Sequence, residues 1–282
     1  MEQKNTKKQN ATALLSSCQG ILRCPVCKKS LKVRSSGKML CKKDHCFDVA
    51  KTGYVNLASS GALSGYDKAL FQNRRTAFAL GFYDKVVDAL RDIIAPRLVP
   101  SQPLFVLDAG CGEGFYTASL ASYRRFSCCR FFGIDLSRDA VMLAAQRETT
   151  AGWLVADVAN LPFSDSSFDV VLDILTPANY KEFRRILKKD GVVIKIVPGQ
   201  YYLKELRDAA GQGMYTNRDV VDYAAAHMKL SETRNLCYTL PLAQGQAQLI
   251  YGMTPLTSHT RPENLDTIAE ITIDLQIITA SF

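Results

Sequence analysis

What this sequence lacks is a long hydrophobic run. Nowhere in its 282 residues do apolar side chains approach the roughly 20 in succession that cross a bilayer, so no membrane partner is expected. Nor does an apolar h-region follow the polar start, Met1 to Asn10, which carries Lys4, Lys7 and Lys8; a secretory signal would need one. The expected location is the cytoplasm. Nine cysteines, an odd number, then read as thiols or metal ligands in a reducing compartment rather than as a disulfide framework. A 47% apolar composition supports a sizeable core, enough for one large domain with a small appendage.

Basic charge collects in one segment. Arg23, Lys28, Lys29, Lys32, Arg34, Lys38, Lys42, Lys43 and Lys51 face only Asp44 and Asp48, in a chain of net charge +8. Such clustering suits a phosphate-binding surface, with a solvated face as the alternative. The same segment holds Cys24-Pro25-Val26-Cys27, thirteen residues, then Cys41 and His45. A Cys-x-x-Cys knuckle sets two thiolates on one side of a Zn²⁺ ion, and a second pair closes the tetrahedron. Either His45 or its neighbour Cys46 would serve as the fourth ligand. Ser35-Ser36-Gly37 reads as the turn of a hairpin between the knuckles. So short a segment has too little core to fold without metal.

Four stretches divide the chain. Residues 1–20 are a basic flexible tail with a short helical piece from Thr12 to Ser17, and 21–58 are the zinc-binding segment. Residues 59–100 hold a Gly/Ser-rich linker, Ser59 to Tyr66, and two helices from Asp67 to Ala95 broken near Gly81 and closed by Pro96. Residues 101–282 alternate strand and helix.

That last stretch is organised around Val106-Leu107-Asp108-Ala109-Gly110-Cys111-Gly112-Glu113-Gly114-Phe115-Tyr116. A buried strand ends in an acid, glycines follow at alternating positions, and a helix begins near Tyr116. Glycine takes φ > 0 freely and lets a ligand approach the backbone, while a helix N-terminus offers unpaired N–H groups. A second strand ends at Asp135, placed to accept hydrogen bonds from ribose hydroxyls, with Ser137 capping the next helix. A third ends at Asp157-Val158, the acid beside an adenine amino group and the valine against its ring. Leu161-Pro162-Phe163-Ser164-Asp165-Ser166-Ser167-Phe168-Asp169 leads into a fourth. A helix from Lys181 to Leu187, a turn at Asp190-Gly191 and a fifth strand, Val192 to Val197, come next. Tyr202 to Ala209 reads as a helix, with later strands at Leu236–Leu240, Gln248–Tyr251 and Ile271–Ile277. His227 and His259 read as ordinary surface or helix-end residues.

The Asp-x-Gly-x-Gly-x-Gly turn resembles motif I of class I S-adenosylmethionine-dependent methyltransferases, and Ala156-Asp157 through Asp169 resembles their motifs III and IV. The expected fold is therefore α/β, a Rossmann-like methyltransferase domain behind an N-terminal zinc ribbon. Fold alone leaves the acceptor open. The ribbon, Phe47-Asp48-Val49-Ala50-Lys51-Thr52-Gly53-Tyr54-Val55-Asn56-Leu57 and Arg74-Arg75-Thr76-Ala77-Phe78-Ala79-Leu80-Gly81-Phe82-Tyr83 resemble the 23S ribosomal RNA guanine-N1 methyltransferases, the large-subunit methyltransferase A family, from about Ile21 to Phe282. That resemblance implies methyl transfer to guanine N1 in a 23S rRNA hairpin near the peptide exit tunnel, often by a homodimer, with an influence on macrolide sensitivity in some members. It implies zinc on Cys24, Cys27, Cys41 and His45, and cofactor contacts from Asp108, Gly110, Asp135 and Asp157, to which the turn adds Gly112, Glu113, Gly114 and Tyr116 and the third strand Val158. The group assisting loss of the N1 proton is unassigned; Asp173, Thr176 and Asn179 stand where it would sit. A quinone-type small-molecule methyltransferase would also fit the Leu-Pro-Phe run, and a non-catalytic RNA-binding protein is the other competing reading.

Overall fold

A computed structural model describes residues 6–58, 68–147, 150–254, 262 and 264–282. The expected linker Ser59–Tyr66, the helix start at Asp67 and His259 lie outside the described residues.

The chain opens on helix α1 (Lys7–Ser17), where the sequence suggested a flexible tail with a shorter helical piece. Two features order it. Thr6 and Gln9 form a capping box, each side chain bonded to the other's backbone N–H, and Ala11 and Leu15 are buried against the core. The weak amphipathicity of the segment hid this, because only a few of its positions face inward. Strands β1 (Leu31–Val33), β2 (Lys38–Cys41) and β3 (Cys46–Asp48) form a small antiparallel sheet, the expected hairpin plus one strand. Strand β4 (Tyr54–Asn56) belongs elsewhere, to the large sheet.

Helices α2 (Lys68–Ala79) and α3 (Asp84–Ile94) follow, broken at Gly81, whose φ of 81° is left-handed. Then come β5 (Phe105–Ala109), α4 (Phe115–Ala121), β6 (Arg130–Asp135), α5 (Arg138–Ala145), β7 (Gly152–Val155), β8 (Phe168–Ile174), α6 (Tyr180–Ile186) and β9 (Leu187–Pro198). The chain ends with α7 (Lys204–Ala209), α8 (Arg218–His227), β10 (Lys229–Pro241), α9 (Gln246–Tyr251) and β11 (Glu270–Ser281). Gln248–Tyr251 is thus helical rather than extended: Gly245 at φ 82° starts a helical turn that buries Ala247 and Ile250.

The eight-stranded sheet runs β10-β11-β9-β8-β5-β6-β7-β4. Six strands are parallel, and β10 and β11 are antiparallel at one edge. Successive residues of β5 point to opposite sides, Val106 into one apolar cluster with α3, α4 and α5, Leu107 into another with α1 and α6. Both faces are covered, as a parallel sheet requires. The expected Asp190-Gly191 turn survives as an interruption within β9: Phe168 pairs with Leu187 and Val170 with Val192.

Candidate functional site

The order reversal of the parallel strands lies between β5 and β8, and ligands of open α/β sheets bind outside the strand ends at that point. The glycine turn sits there. Gly110, Gly112 and Gly114 have φ of 78°, 55° and 83°, so side chains are strained at all three. Close approach adds to this at Gly110, where a Cβ would stand 2.5 Å from Thr176 Oγ1, and at Gly114, where it would strike Trp153 and Ala144. The turn is held by the next strand, since Gly110 N and Cys111 N donate to the Ile134 carbonyl at 2.9 and 2.8 Å.

Asp135 is built into the same turn. Its Oδ2 accepts from Gly112 N at 2.9 Å and its Oδ1 from Ser137 N at 2.8 Å. Burial raises its carboxyl against these N–H groups, and each oxygen keeps a lone pair for a further donor. Ser137 takes the capping role expected of it, accepting from Ala140 N. Below lies Asp108, fully buried and bonded by the Thr117 hydroxyl at 2.6 Å. Burial pushes its carboxyl up to about 7; the Thr117 bond opposes this, and Asp135 and Asp173 reinforce it. Glu113 is buried beside Arg147, which bonds it. Asp157 is exposed, its Oδ1 capping the short turn Val158–Asn160 through Ala159 N at 2.8 Å, and Val158 is half-buried against the core.

Three buried polar atoms near the turn lack a hydrogen-bond partner: Glu113 Oε1, the Tyr116 hydroxyl and Asp173 Oδ1. Orphans of this sort are costly unless a ligand serves them, so the residues fit a polar cofactor over the glycines. Phe71 and Arg74 of α2 roof Gly112, and Arg74 Nε is tied to the Met253 carbonyl at 2.9 Å. Neither Arg74 nor the buried Tyr83–Tyr202 hydroxyl pair, at 2.7 Å, was singled out from sequence, because the segments that meet here are far apart in the chain.

Of the three candidates for proton removal, Asn179 caps α6, accepting from Glu182 N at 3.1 Å. Thr176 abuts Gly110. Asp173 is fully buried and paired with Lys195 Nζ at 2.7 Å; burial pushes it up to about 6, with the ammonium pulling the other way. Lys195 was missed, although a lone lysine inside Val192-Val193-Ile194-Lys195-Ile196-Val197 demands a buried acid.

The ribbon gathers Cys24, Cys27, Cys41 and His45, whose ligand atoms all lie within 4.8 Å of one another. His45 Nδ1 is 3.3 Å from Cys41 Sγ and 3.6 Å from Cys24 Sγ, whereas Cys46 is exposed and outside the group. The donor set of three thiols and one imidazole fits structural zinc. Lys28 and Asp44, just beyond a knuckle cysteine and within the second knuckle, take φ of 63° and 60°. Lys29, Lys32, Arg34, Lys38, Lys42, Lys43 and Lys51 are exposed. Lys28 is exposed as well, but its ammonium is bonded to Asn160 and the Pro25 carbonyl.

The fold and the two sites define a zinc-ribbon methyltransferase of the S-adenosylmethionine-dependent class. The family profile described as "Methyltransferase domain" matches residues 107–195, and the zinc-ribbon profile "RlmA, N-terminal" matches 22–58. YxjB of Bacillus subtilis, provisionally assigned as a 23S rRNA (guanine-N(1)-)-methyltransferase, is 34% identical over 92% of this chain and 96% of its own. The 23S rRNA (guanine(748)-N(1))-methyltransferase of Streptomyces fradiae is 31% identical over 86% and 88%. The chain belongs to this 23S rRNA guanine-N1 methyltransferase family. By contrast the fatty-acid O-methyltransferase of Mycolicibacterium smegmatis, 34% identical, matches only 35% of either chain.

Proposed function

We propose that this protein transfers a methyl group from S-adenosylmethionine to N1 of a guanine in 23S rRNA. The observation that carries the reading is the union, on one chain, of a basic metal-binding ribbon with the cofactor turn, and the similarity over most of their length to relatives named 23S rRNA guanine-N1 methyltransferases supports it. A small-molecule enzyme has no use for the exposed lysines of the ribbon.

In this reading Cys24, Cys27, Cys41 and His45 hold zinc, and residues 21–58 grip the RNA. Gly110, Gly112 and Gly114 admit the methionine end of the cofactor, with Glu113, Tyr116 and Asp108 around it; Asp135 accepts from the ribose hydroxyls, and Asp157 and Val158 flank the adenine. The bound sulfonium supplies an electrophilic methyl group. What remains for the chain is to hold guanine N1 in line with it and exclude water, beside Thr176 and the buried Asp173–Lys195 pair at the end of β8. The homodimer, the cytoplasmic location, the hairpin near the exit tunnel and an effect on macrolide sensitivity belong to the same proposal. Within the described residues no helix is long and apolar enough to cross a membrane.

Incubation with S-adenosylmethionine and 23S rRNA, followed by primer extension, should produce a stop at one guanine, because N1 methylation blocks the pairing edge. Methylation of a quinone with unmodified RNA would overturn the proposal.

A further inference from the structure

The ribbon and the adenine side of the cofactor crevice meet at one asparagine. Asn160 ends the turn that Asp157 caps, and its backbone N–H donates to the Asp157 carbonyl at 2.9 Å. Its side chain faces the other way, into the first zinc knuckle. Nδ2 donates to the Pro25 carbonyl at 3.3 Å, and Oδ1 accepts from Lys28 Nζ. The same ammonium donates to Pro25 O at 3.0 Å, and Lys28 N donates to Cys24 O at 2.9 Å. Pro25 lies inside the Cys24–Cys27 knuckle and Lys28 directly follows it, so metal ligation fixes the carbonyl and orients the ammonium.

The contact is continued by backbone pairing. Leu22 and Phe163 form an antiparallel bridge, Arg23 N donates to Pro162 O at 2.9 Å and Ser164 N to Ile21 O at 2.8 Å. On the far side Arg185 holds the same loop through the Leu161 and Phe163 carbonyls. The loop after Asp157 is therefore clamped between α6 and the knuckle. Only the knuckle side depends on a metal.

We infer that Asn160 is a positioning residue, referencing Asp157 and Val158 to the metal-fixed Pro25 carbonyl, so that zinc occupancy and S-adenosylmethionine affinity are coupled. The inference rests on the placement of adenine against Asp157 and Val158. Such coupling is reciprocal: cofactor tightens zinc binding by the same factor as zinc tightens cofactor binding.

The test uses the full chain loaded with zinc. Asn160→Ala should bind S-adenosylmethionine about tenfold more weakly by calorimetry, the worth of one or two hydrogen bonds, while keeping its zinc. Lys28→Met, at an exposed position and safe for folding, should weaken binding likewise, and the double variant should lose little more, since both changes break one network. Asn160→Asp, which keeps the acceptor for Lys28, should recover part of the loss. In a chelator competition read at equilibrium, S-adenosylmethionine should raise the zinc affinity of the wild type and not that of Asn160→Ala. A merely structural asparagine would not move that affinity difference. Unchanged cofactor affinity in Asn160→Ala and Lys28→Met, alongside weakened affinity in Asp135→Ala, overturns the inference; unchanged affinity in all three overturns the crevice assignment itself.

Discussion

The acids near the ends of β5 and β6, Asp108 buried and Asp135 half-buried, have different work, and their surroundings separate them. Asp135 carries backbone N–H groups on both oxygens and faces the crevice, so Asp135→Ala should weaken S-adenosylmethionine by about 1–3 kcal/mol through an unpaired ribose hydroxyl and a loosened turn; calorimetry with unaltered affinity would relocate the site. Asp108 is enclosed, and its carboxyl stands at about 7 against an ordinary 3.8. Between those values the folded protein holds a proton that the unfolded chain has released, so this group's contribution to stability falls as pH rises through the window. Asp108→Asn keeps an acceptor for Thr117 and cannot ionise. Its thermal midpoint should match the wild type near pH 4 and exceed it by pH 8; parallel curves across that range would contradict the assigned ionisation. The glycines and both acids were legible in sequence because turn geometry and strand ends restrict residue type. The Lys195 partner of Asp173 was legible in principle and overlooked, whereas Tyr83 with Tyr202 was not, since no local pattern links residues from such distant segments.

At the scale of elements, the ribbon and helix α1 differ in what holds them. The three ribbon strands are short, of three or four residues, and should depend on metal: the purified protein should carry about one zinc per chain, and Cys24→Ser or Cys41→Ser should lose it and raise hydrogen exchange across β1–β3. A metal-free protein with the same protection would sink that assignment. Helix α1 depends on packing. Leu15 is 1% exposed within the apolar cluster that also holds Leu22, Leu161 and Phe163, so Leu15→Ala should cost about 2–5 kcal/mol in denaturant unfolding. Knuckle spacing and the parallel strands could be read because each rests on a local rule, ligand geometry or a continuous apolar run. Only the Thr12–Ser17 part of helix α1 was read, because three buried residues in eleven make a faint period, and α8 escaped because only Ala224 in it is buried. Strand β4 is three residues long and gains its place from β7, a partner nearly a hundred residues away, which no window along the sequence reports.

Across the whole molecule, charge is distributed unevenly, and the asymmetry bears on substrate choice. The methyltransferase domain pairs many of its cations internally, Arg147 with Glu113, Arg185 with Glu182 and Asp165, Lys188 with Asp169 and Lys195 with Asp173. The ribbon leaves Lys29, Lys42 and Lys43 exposed beside its two knuckles, where a bound metal would fix the backbone and hence the direction in which they project. Lys28, though exposed, is bonded to Asn160 and the Pro25 carbonyl and is left out of this set. Each lysine that neutralises a phosphate releases counterions, so its removal lowers the slope of log affinity against log salt by about one and weakens all RNA sequences nearly equally. A Lys29→Gln, Lys42→Gln, Lys43→Gln triple variant should therefore keep zinc and S-adenosylmethionine, bind 23S rRNA more weakly with a slope shallower by about two to three, and methylate it slowly at low RNA concentration. Raising RNA should restore the rate, because none of the three is among the residues assigned to the cofactor. If affinity and slope are unchanged, the ribbon is not the RNA contact, and its contact with the loop after Asp157 would be its main contribution.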